Sequence, residues 1–256
     1  MKKISLFLCV ILFFSGCSVL PATSDAVYEK LSNKKAGWGF RRTKDGPDFS
    51  KEQIRLMEEY SCIYKENSGE KNIFLTFDEG YENGYTSQIL DTLREKGVRA
   101  AFFVTGQFVK ENPELIKRMA NEGHTIGNHS LCHPSFPEIS DEKLKEELFE
   151  LDRLVYGICG KHTKFLRPPR GEYSTRTLAI SRDLGYTNVF WSQAYVDWND
   201  DVTKEQAYAK ITSGLHSGCV LLLHAVSKGN AESLGDVIDY ARKEGYVFKS
   251  LDEYKK

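Results

Sequence analysis

The chain is 256 residues long, with 35 Lys+Arg against 36 Asp+Glu and a formal net charge of -1. Hydrophobic residues at 41% and charged residues at 28% exclude a disordered chain, a collagen-like repeat and a polytopic membrane protein. The even charge balance removes the usual electrostatic basis for nucleic-acid binding, and the length suits one large α/β domain or two small ones.

Residues 1–16 read as an export signal outside the fold. Lys2 and Lys3 precede an unbroken apolar run from Ile4 to Phe14, and small residues Ser15 and Gly16 follow. Such a run is too short to span a bilayer, which takes about 20 residues, and its basic-apolar-small order is that of a signal peptide. Phe14-Ser15-Gly16-Cys17 resembles the lipobox of bacterial lipoproteins, which implies lipidation of Cys17 and a tether to the outer face of the cytoplasmic membrane. The alternative is secretion to the cell wall or spore cortex. Cys62, Cys132, Cys159 and Cys219 remain in the body. Export permits disulfides and leaves three pairings open, but buried free thiols are the expectation.

Residues 17–70 form an irregular leader segment expected to pack on the main domain. It carries one helix, from Lys51 to Tyr60, with Ser50 as N-cap. From residue 71 the pattern becomes regular. The strand Ile73–Phe77 is followed by a helix from Ser87 to Lys96, with Thr86 as candidate cap and Gly97 as stop. Next come strand Arg99–Val104, a helix opened by Asn112-Pro113-Glu114 and closed by Gly123, and strand His124–Gly127. Leu144, Leu148, Leu151, Val155 and Ile158 lie at helical spacing. Strand Lys164–Leu166, a helix from Ser174 to Gly185 and strand Thr187–Trp191 follow. Thr203 and Gln206 have capping-box form. Strand Cys219–Leu223, helix Ala231–Glu244 and strand Tyr246–Phe248 complete the chain. About seven βα units without adjacent hairpins imply a parallel sheet.

Asp78, Glu79, His129, His133, Arg167, Asp197 and His224 all fall at or just after the carboxyl ends of these strands. In a barrel those ends surround one mouth, whereas an open sheet would scatter them, so a distorted (β/α) barrel of about seven parallel strands is expected. His129 and His133 are four residues apart, and one helical turn would present both imidazoles on the same side. Two histidines and one carboxylate leave open positions for water and substrate, as a catalytic divalent metal requires.

Thr76-Phe77-Asp78-Glu79-Gly80, the His129/His133 pair, Arg167-Pro168-Pro169-Arg170-Gly171, Asp197-Trp198 and Leu221-Leu222-Leu223-His224 occur in order. They resemble the five motifs of the NodB-type polysaccharide deacetylases, carbohydrate esterase family four, over residues 71–252. The stretch from Gly80 to Thr86, Arg167-Pro168-Pro169-Arg170-Gly171 and Val196-Asp197-Trp198 are further similar to the delta-lactam-biosynthetic de-N-acetylases of spore cortex. The resemblance implies hydrolysis of the N-acetyl group of N-acetylmuramic acid in peptidoglycan, preparing it for muramic δ-lactam formation. Peptidoglycan or chitin N-acetylglucosamine is the alternative substrate, and a catalytically silent carbohydrate-binding barrel the alternative class. One divalent ion, zinc or another transition metal, would be held by Glu79, His129 and His133. Asp78 would be the general base, Arg167 its bidentate clamp, His224 the general acid and Asp197 its orienting partner. Leu221 would line the pocket for the acetyl methyl, with Trp198 and Tyr81 as sugar contacts. The partner is the glycan strand, with no nucleic acid and no membrane contact beyond the anchor, and a monomer is expected. Two departures from the family pattern stand out. Glu79 replaces the usual second Asp, and Ala194 stands where the fourth motif opens with Asp.

Overall fold

The run Asn72–Glu79 forms a strand buried at every position, as a parallel strand covered on both faces must be. The computed structural model describes residues 25–44, 46–199 and 201–255; the signal segment and Cys17 lie outside them. In chain order the strands are β1 (Ala36–Gly37), β2 (Arg41–Thr43), β3 (Gly46–Asp48), β4 (Asn72–Glu79), β5 (Ala101–Val104), β6 (Thr125–Asn128), β7 (Phe165–Leu166), β8 (Glu172–Tyr173), β9 (Thr187–Asn188), β10 (Cys219–His224) and β11 (Val247–Phe248). The helices are α1 (Lys51–Glu59), α2 (Thr86–Lys96), α3 (Gly106–Glu111), α4 (Pro113–Asn121), α5 (Asp141–Cys159), α6 (Thr175–Asp183), α7 (Lys204–Thr212) and α8 (Lys228–Lys243).

The main sheet is parallel and runs β10-β4-β5-β6-β7-β9, with β11 beside the start of β4. It curls into a half-barrel rather than closing ladder to ladder. β7, β9 and β11 have only two residues each. The gap between β9 and β10 is stitched by isolated bridges, Gln193 with Leu221, Ile63 with Val189 and Lys65 with Cys219. Two of these come from the leader, so the barrel is completed by chain that precedes its first strand.

Side-chain alternation sorts the core. Ile73, Leu75 and Phe77 of β4 join Phe102, Val104, Cys219, Leu221 and Leu223 on the helix side, while Phe74, Phe103 and Val220 fill the inside with Ile63 and Val189. Each fully buried Leu or Phe contributes about 1.5–3 kcal/mol. The leader docks through Trp38, which packs against Phe49, Tyr64 and Phe190 and donates its indole N–H to the Trp191 carbonyl at 2.7 Å. It is less irregular than expected, since β1 pairs with β8 and β2 with β3.

Local signals explain most helix ends. Ser50 and Gln53 make a capping box, as do Ser174 with Thr177 and Thr203 with Gln206. Gly97 and Gly160 stop their helices in the left-handed conformation. Thr86 is the first helical residue rather than the cap, α3 was not anticipated, and α8 starts at Lys228, three residues before Ala231. Cys132, Cys159 and Cys219 are free thiols. Cys62 and Cys219 are buried, whereas Cys132 is exposed and Cys159 half-buried, so burial holds for two of them.

Candidate active site

Strand register brings the first two groups together. His224, the last residue of β10, is the partner of Asp78 in β4, and both side chains face the barrel interior. Arg167 follows β7 and is fully buried. Its Nη1 donates to Asp78 Oδ1 at 2.6 Å, while Nη2 donates to the Thr76 hydroxyl at 2.9 Å and Nε to the Val189 carbonyl at 3.1 Å. The expected bidentate clamp is therefore a single bond. The second guanidinium nitrogen holds Thr76, whose own hydroxyl donates to the Leu221 carbonyl. The guanidinium also lies 4.2 Å from the Phe103 ring centroid. Burial alone would raise the Asp78 pKa, but the charges of Arg167, His129 and His224 hold it below the ordinary carboxylate range. A carboxylate so placed stays ionised and keeps Oδ2 free of the guanidinium.

The two other histidines meet through a loop, not through a helical turn. Residues 129–135 are non-helical, and Ser130 and His133 adopt positive φ values of 68° and 58°. Two left-handed residues reverse the chain within four positions, which a helix does not do. The Ser130 hydroxyl accepts from the His133 N–H at 2.8 Å, and buried Asn128 accepts from the Ser130 N–H at 2.9 Å. The imidazole rings then stand edge to face with centroids 4.8 Å apart. His129 Nδ1 lies 2.7 Å from the Arg167 carbonyl, so it must carry the proton and donate. Its Nε2 is left as the lone-pair nitrogen, 3.5 Å from Asp78 Oδ2. Burial lowers both pKa values, that of His133 to about 4. Neutral imidazoles, one already oriented by a backbone carbonyl, are the donor set a divalent ion takes.

Glu79 does not belong to that set. It pairs in register with Val104, and alternation turns it to the helix side with Phe77 and Val104, opposite Asp78. It is fully buried, neither carboxyl oxygen has a hydrogen-bond partner among the described residues, and it does not line the cleft. Burial, then the nearby charges of Glu82 and Asp78, push its pKa well above normal, which favours the protonated acid. Among the described residues no three His, Cys, Asp or Glu side chains stand in position to hold a metal ion. The histidine pair fits such an ion; the expected Glu79 ligand is corrected.

His224 is held from behind. Its Nδ1 donates to Asp197 Oδ1 at 2.7 Å, and Asp197 Oδ2 accepts from the His224 backbone N–H at 2.8 Å and from Asn230 at 2.6 Å. Asn230 in turn accepts from the Tyr195 hydroxyl. Burial would lower the His224 pKa, but the hydrogen bond and charge of Asp197, with Asp78 beyond, raise it above the ordinary histidine value. Nε2 remains for the cleft. The replacement of the motif-opening Asp by Ala194 thus leaves His224 with a fully buried carboxylate partner in Asp197.

These groups converge on a cleft of about 630 Å³. Asp78, His129, His133 and His224 line one side, with Trp191, Trp198 and Leu222 beside them. Leu221 is not among the lining residues. It faces the helix layer, fully buried, and its neighbour Leu222 occupies the position expected of it. Trp198 is 53% exposed and stands edge-on to the His224 ring at 5.2 Å. Tyr81 is 51% exposed but does not reach the cleft. Sequence reasoning missed Phe40, Arg42, Arg170, Tyr195 and Asn230. Period-two parity with His224 would have picked Leu222 over Leu221, and Arg170 lay within a motif already quoted. Phe40 and Arg42 carried no signal.

A buried carboxylate, two neutral imidazoles and a third imidazole backed by a carboxylate, gathered at the strand ends of a half-barrel, are groups able to move protons at a carbonyl compound. The chain belongs to the polysaccharide deacetylase family, whose pattern matches residues 65–189. It is 46% identical to the peptidoglycan-N-acetylmuramic acid deacetylase PdaA of Bacillus subtilis over 92% of each chain. The solved structure of that protein, described as a family 4 carbohydrate esterase, superposes with a TM-score of 0.85 over 88% of this chain and 98% of the other. A family 4 carbohydrate esterase from Bacillus anthracis, 44% identical, gives 0.76 over 88% and 97%. A family 4 acetyl xylan esterase from Clostridium thermocellum, 32% identical, gives 0.65 over 72% and 90%, and was solved with a cobalt ion.

Proposed function

We propose that the chain removes the N-acetyl group of N-acetylmuramic acid residues in peptidoglycan, preparing them for muramic δ-lactam formation in the spore cortex. The observation that carries this reading is the pair of buried couples facing one cleft, Asp78 with Arg167 and His224 with Asp197. The 46% identity to an N-acetylmuramic acid deacetylase supports the sugar.

Amide hydrolysis needs an activated water, a stabilised oxyanion and a protonated leaving amine. A divalent ion held by His129 and His133, when bound, supplies carbonyl polarisation and acidifies water. Asp78 takes the proton from the attacking water at Oδ2, the oxygen Arg167 leaves free. Arg167, itself held by Thr76 and the Val189 carbonyl, anchors that carboxylate through Oδ1, so little reorganisation is needed at the moment of proton transfer. His224 carries a proton on Nε2 because Asp197 raises its pKa, and delivers it to the departing nitrogen. Asp197 and Asn230 hold the ring in the tautomer and direction that this delivery requires. Leu222 and Trp191 provide apolar surface for the acetyl methyl.

A wall-polymer substrate places the work outside the cytoplasmic membrane. The reading includes export through residues 1–16 and lipidation at Cys17. No helix among the described residues is long and apolar enough to cross a membrane. The test is acetate release from purified glycan strands with and without added divalent metal. Release from muramic residues that depends on metal is expected; glycan binding without acetate under any metal would overturn the reading.

A further inference from the structure

Two guanidinium groups at the cleft have no part in the chemistry above. Arg42 reaches the cleft from β2 of the leader, and Arg170 from the turn after Arg167. Both are exposed, and neither is ion-paired with a carboxylate among the described residues. The contrast with neighbouring arginines is informative, since Arg41 pairs with Asp48 at 2.5 Å and Arg167 with Asp78. Arg42 is instead aimed, its Nη2 donating to the carbonyl of cleft residue Ala194 and its guanidinium lying 5.9 Å from the Phe40 ring centroid. Among the described residues the only acidic side chain on the cleft wall is Asp78, already occupied by Arg167 and the imidazoles.

Arg170 is fixed by its backbone. It has φ 59° and ψ 8°, a left-handed conformation unusual for arginine, and Gly171 follows with φ 66°. A Cβ on Gly171 would stand 2.7 Å from Trp191 and 3.2 Å from Trp38. Pro168 and Pro169 precede the turn, the Gly171 N–H donates to the Pro168 carbonyl at 3.0 Å, and the Trp38 N–H donates to the Gly171 carbonyl at 2.8 Å. Left-handed non-glycine residues cost free energy and persist where surrounding structure dictates them, commonly beside binding sites.

We propose that Arg42 and Arg170 form a carboxylate-binding rim that receives the free lactyl carboxylate of the muramic sugar. This rests on the muramic reading above and adds the residues that distinguish that sugar from glucosamine. The two N-acetylated sugars differ by the lactyl ether, and of its groups only the carboxylate is charged. Two unpaired guanidinium groups are the donors that such an anion takes, each able to offer parallel N–H bonds. Phe40 and Arg42 lie outside residues 65–189 that match the family, so the leader supplies a wall that the matched part of the domain lacks.

Equilibrium titration of the full-length chain with three disaccharides tests this. The probes are a glucosaminyl-muramic disaccharide with free lactyl carboxylate, its lactyl methyl ester, and the N-acetylglucosamine dimer. Wild type should bind the acid about tenfold more tightly than the ester or the dimer, and the preference should fall as salt is raised. Arg42→Met and Arg170→Met should each reduce it, and the double variant should bind acid and ester alike; ester binding reports that each variant is folded. Equal binding of acid and ester by wild type, or variants that weaken both equally, would overturn the proposal. Acetate release on the same sugars separates the two readings. Preference for the acid with acetate released only from glucosamine refutes the muramic function and leaves the rim. Acetate released from muramic residues without any preference refutes the rim and leaves the function.

Discussion

Replacing Arg167 by methionine would leave Asp78 as a lone carboxylate in a buried site, because Asp78 is only 7% exposed and Arg167 is its one guanidinium partner. Breaking one member of a buried ion pair typically costs about 3–5 kcal/mol, and here the Thr76 and Val189 acceptors are orphaned as well. For a chain of this size that corresponds to a fall in Tm of about 6–20 °C. The double variant Asp78→Asn/Arg167→Met removes the stranded charge, so it should recover a large part of the loss. The pH dependence has a defined sign. The folded Asp78 pKa is depressed, so in wild type its contribution is present above the ordinary carboxylate value of about 3.9 and is lost as pH falls through the folded pKa. In Arg167→Met the largest of the charges that lower that pKa and its hydrogen bond are gone, so burial weighs more and the pKa rises, and the variant should regain stability relative to wild type as pH is lowered. Urea unfolding of the four proteins across pH is the assay. Additive losses, or an Arg167→Met cost below about 1 kcal/mol, would refute the coupling on which the base is built.

Asp197→Asn keeps the shape of the orienting group but removes the charge that raises the His224 pKa; kcat should fall by about 10²-fold or more, and the alkaline limb of its pH profile should move to lower pH. An unmoved limb would separate Asp197 from the acid. Glu79→Gln should leave the metal dependence of acetate release as in wild type. Because the Glu79 pKa is raised well above normal, the substitution should also stabilise the fold as pH rises above about 4.3 and have little effect below it; loss of metal binding would restore Glu79 as a ligand. Leu221→Ala should cost about 2–5 kcal/mol of stability with KM unchanged, whereas Leu222→Ala should act chiefly on kcat/KM. Chelation should abolish acetate release and added divalent metal restore it, with His133→Ala unresponsive to both.

What could be read from the sequence divides along physical lines. Caps such as Ser50, Ser174 and Thr203 were legible because the side chain that satisfies the helix end is local. The motif residues at strand ends were legible because a parallel barrel gathers them at one mouth. The errors at Glu79 and Leu221 share one cause. β4 and β10 are covered on both faces, so hydrophobic alternation does not show which parity points inward. The His129–His133 spacing suggested a helical turn because nothing in those residue types announces left-handed backbone at Ser130 and His133. Phe40 and Arg42 could not be placed at all, since their position depends on β1 pairing with β8 and on Trp38 docking against Phe49, Tyr64 and Phe190. Two of those contacts, β1 with β8 and Trp38 with Phe190, span more than a hundred residues, and none leaves a local pattern.

The most direct test of the central claim is mass analysis of the sugars released from glycan strands after incubation with the metal-supplemented protein and with its Asp78→Asn variant. The predicted result is loss of one acetyl group from muramic residues, none from glucosamine residues, and no loss with the variant. Acetyl loss confined to glucosamine, or equal loss with Asp78→Asn, would contradict it.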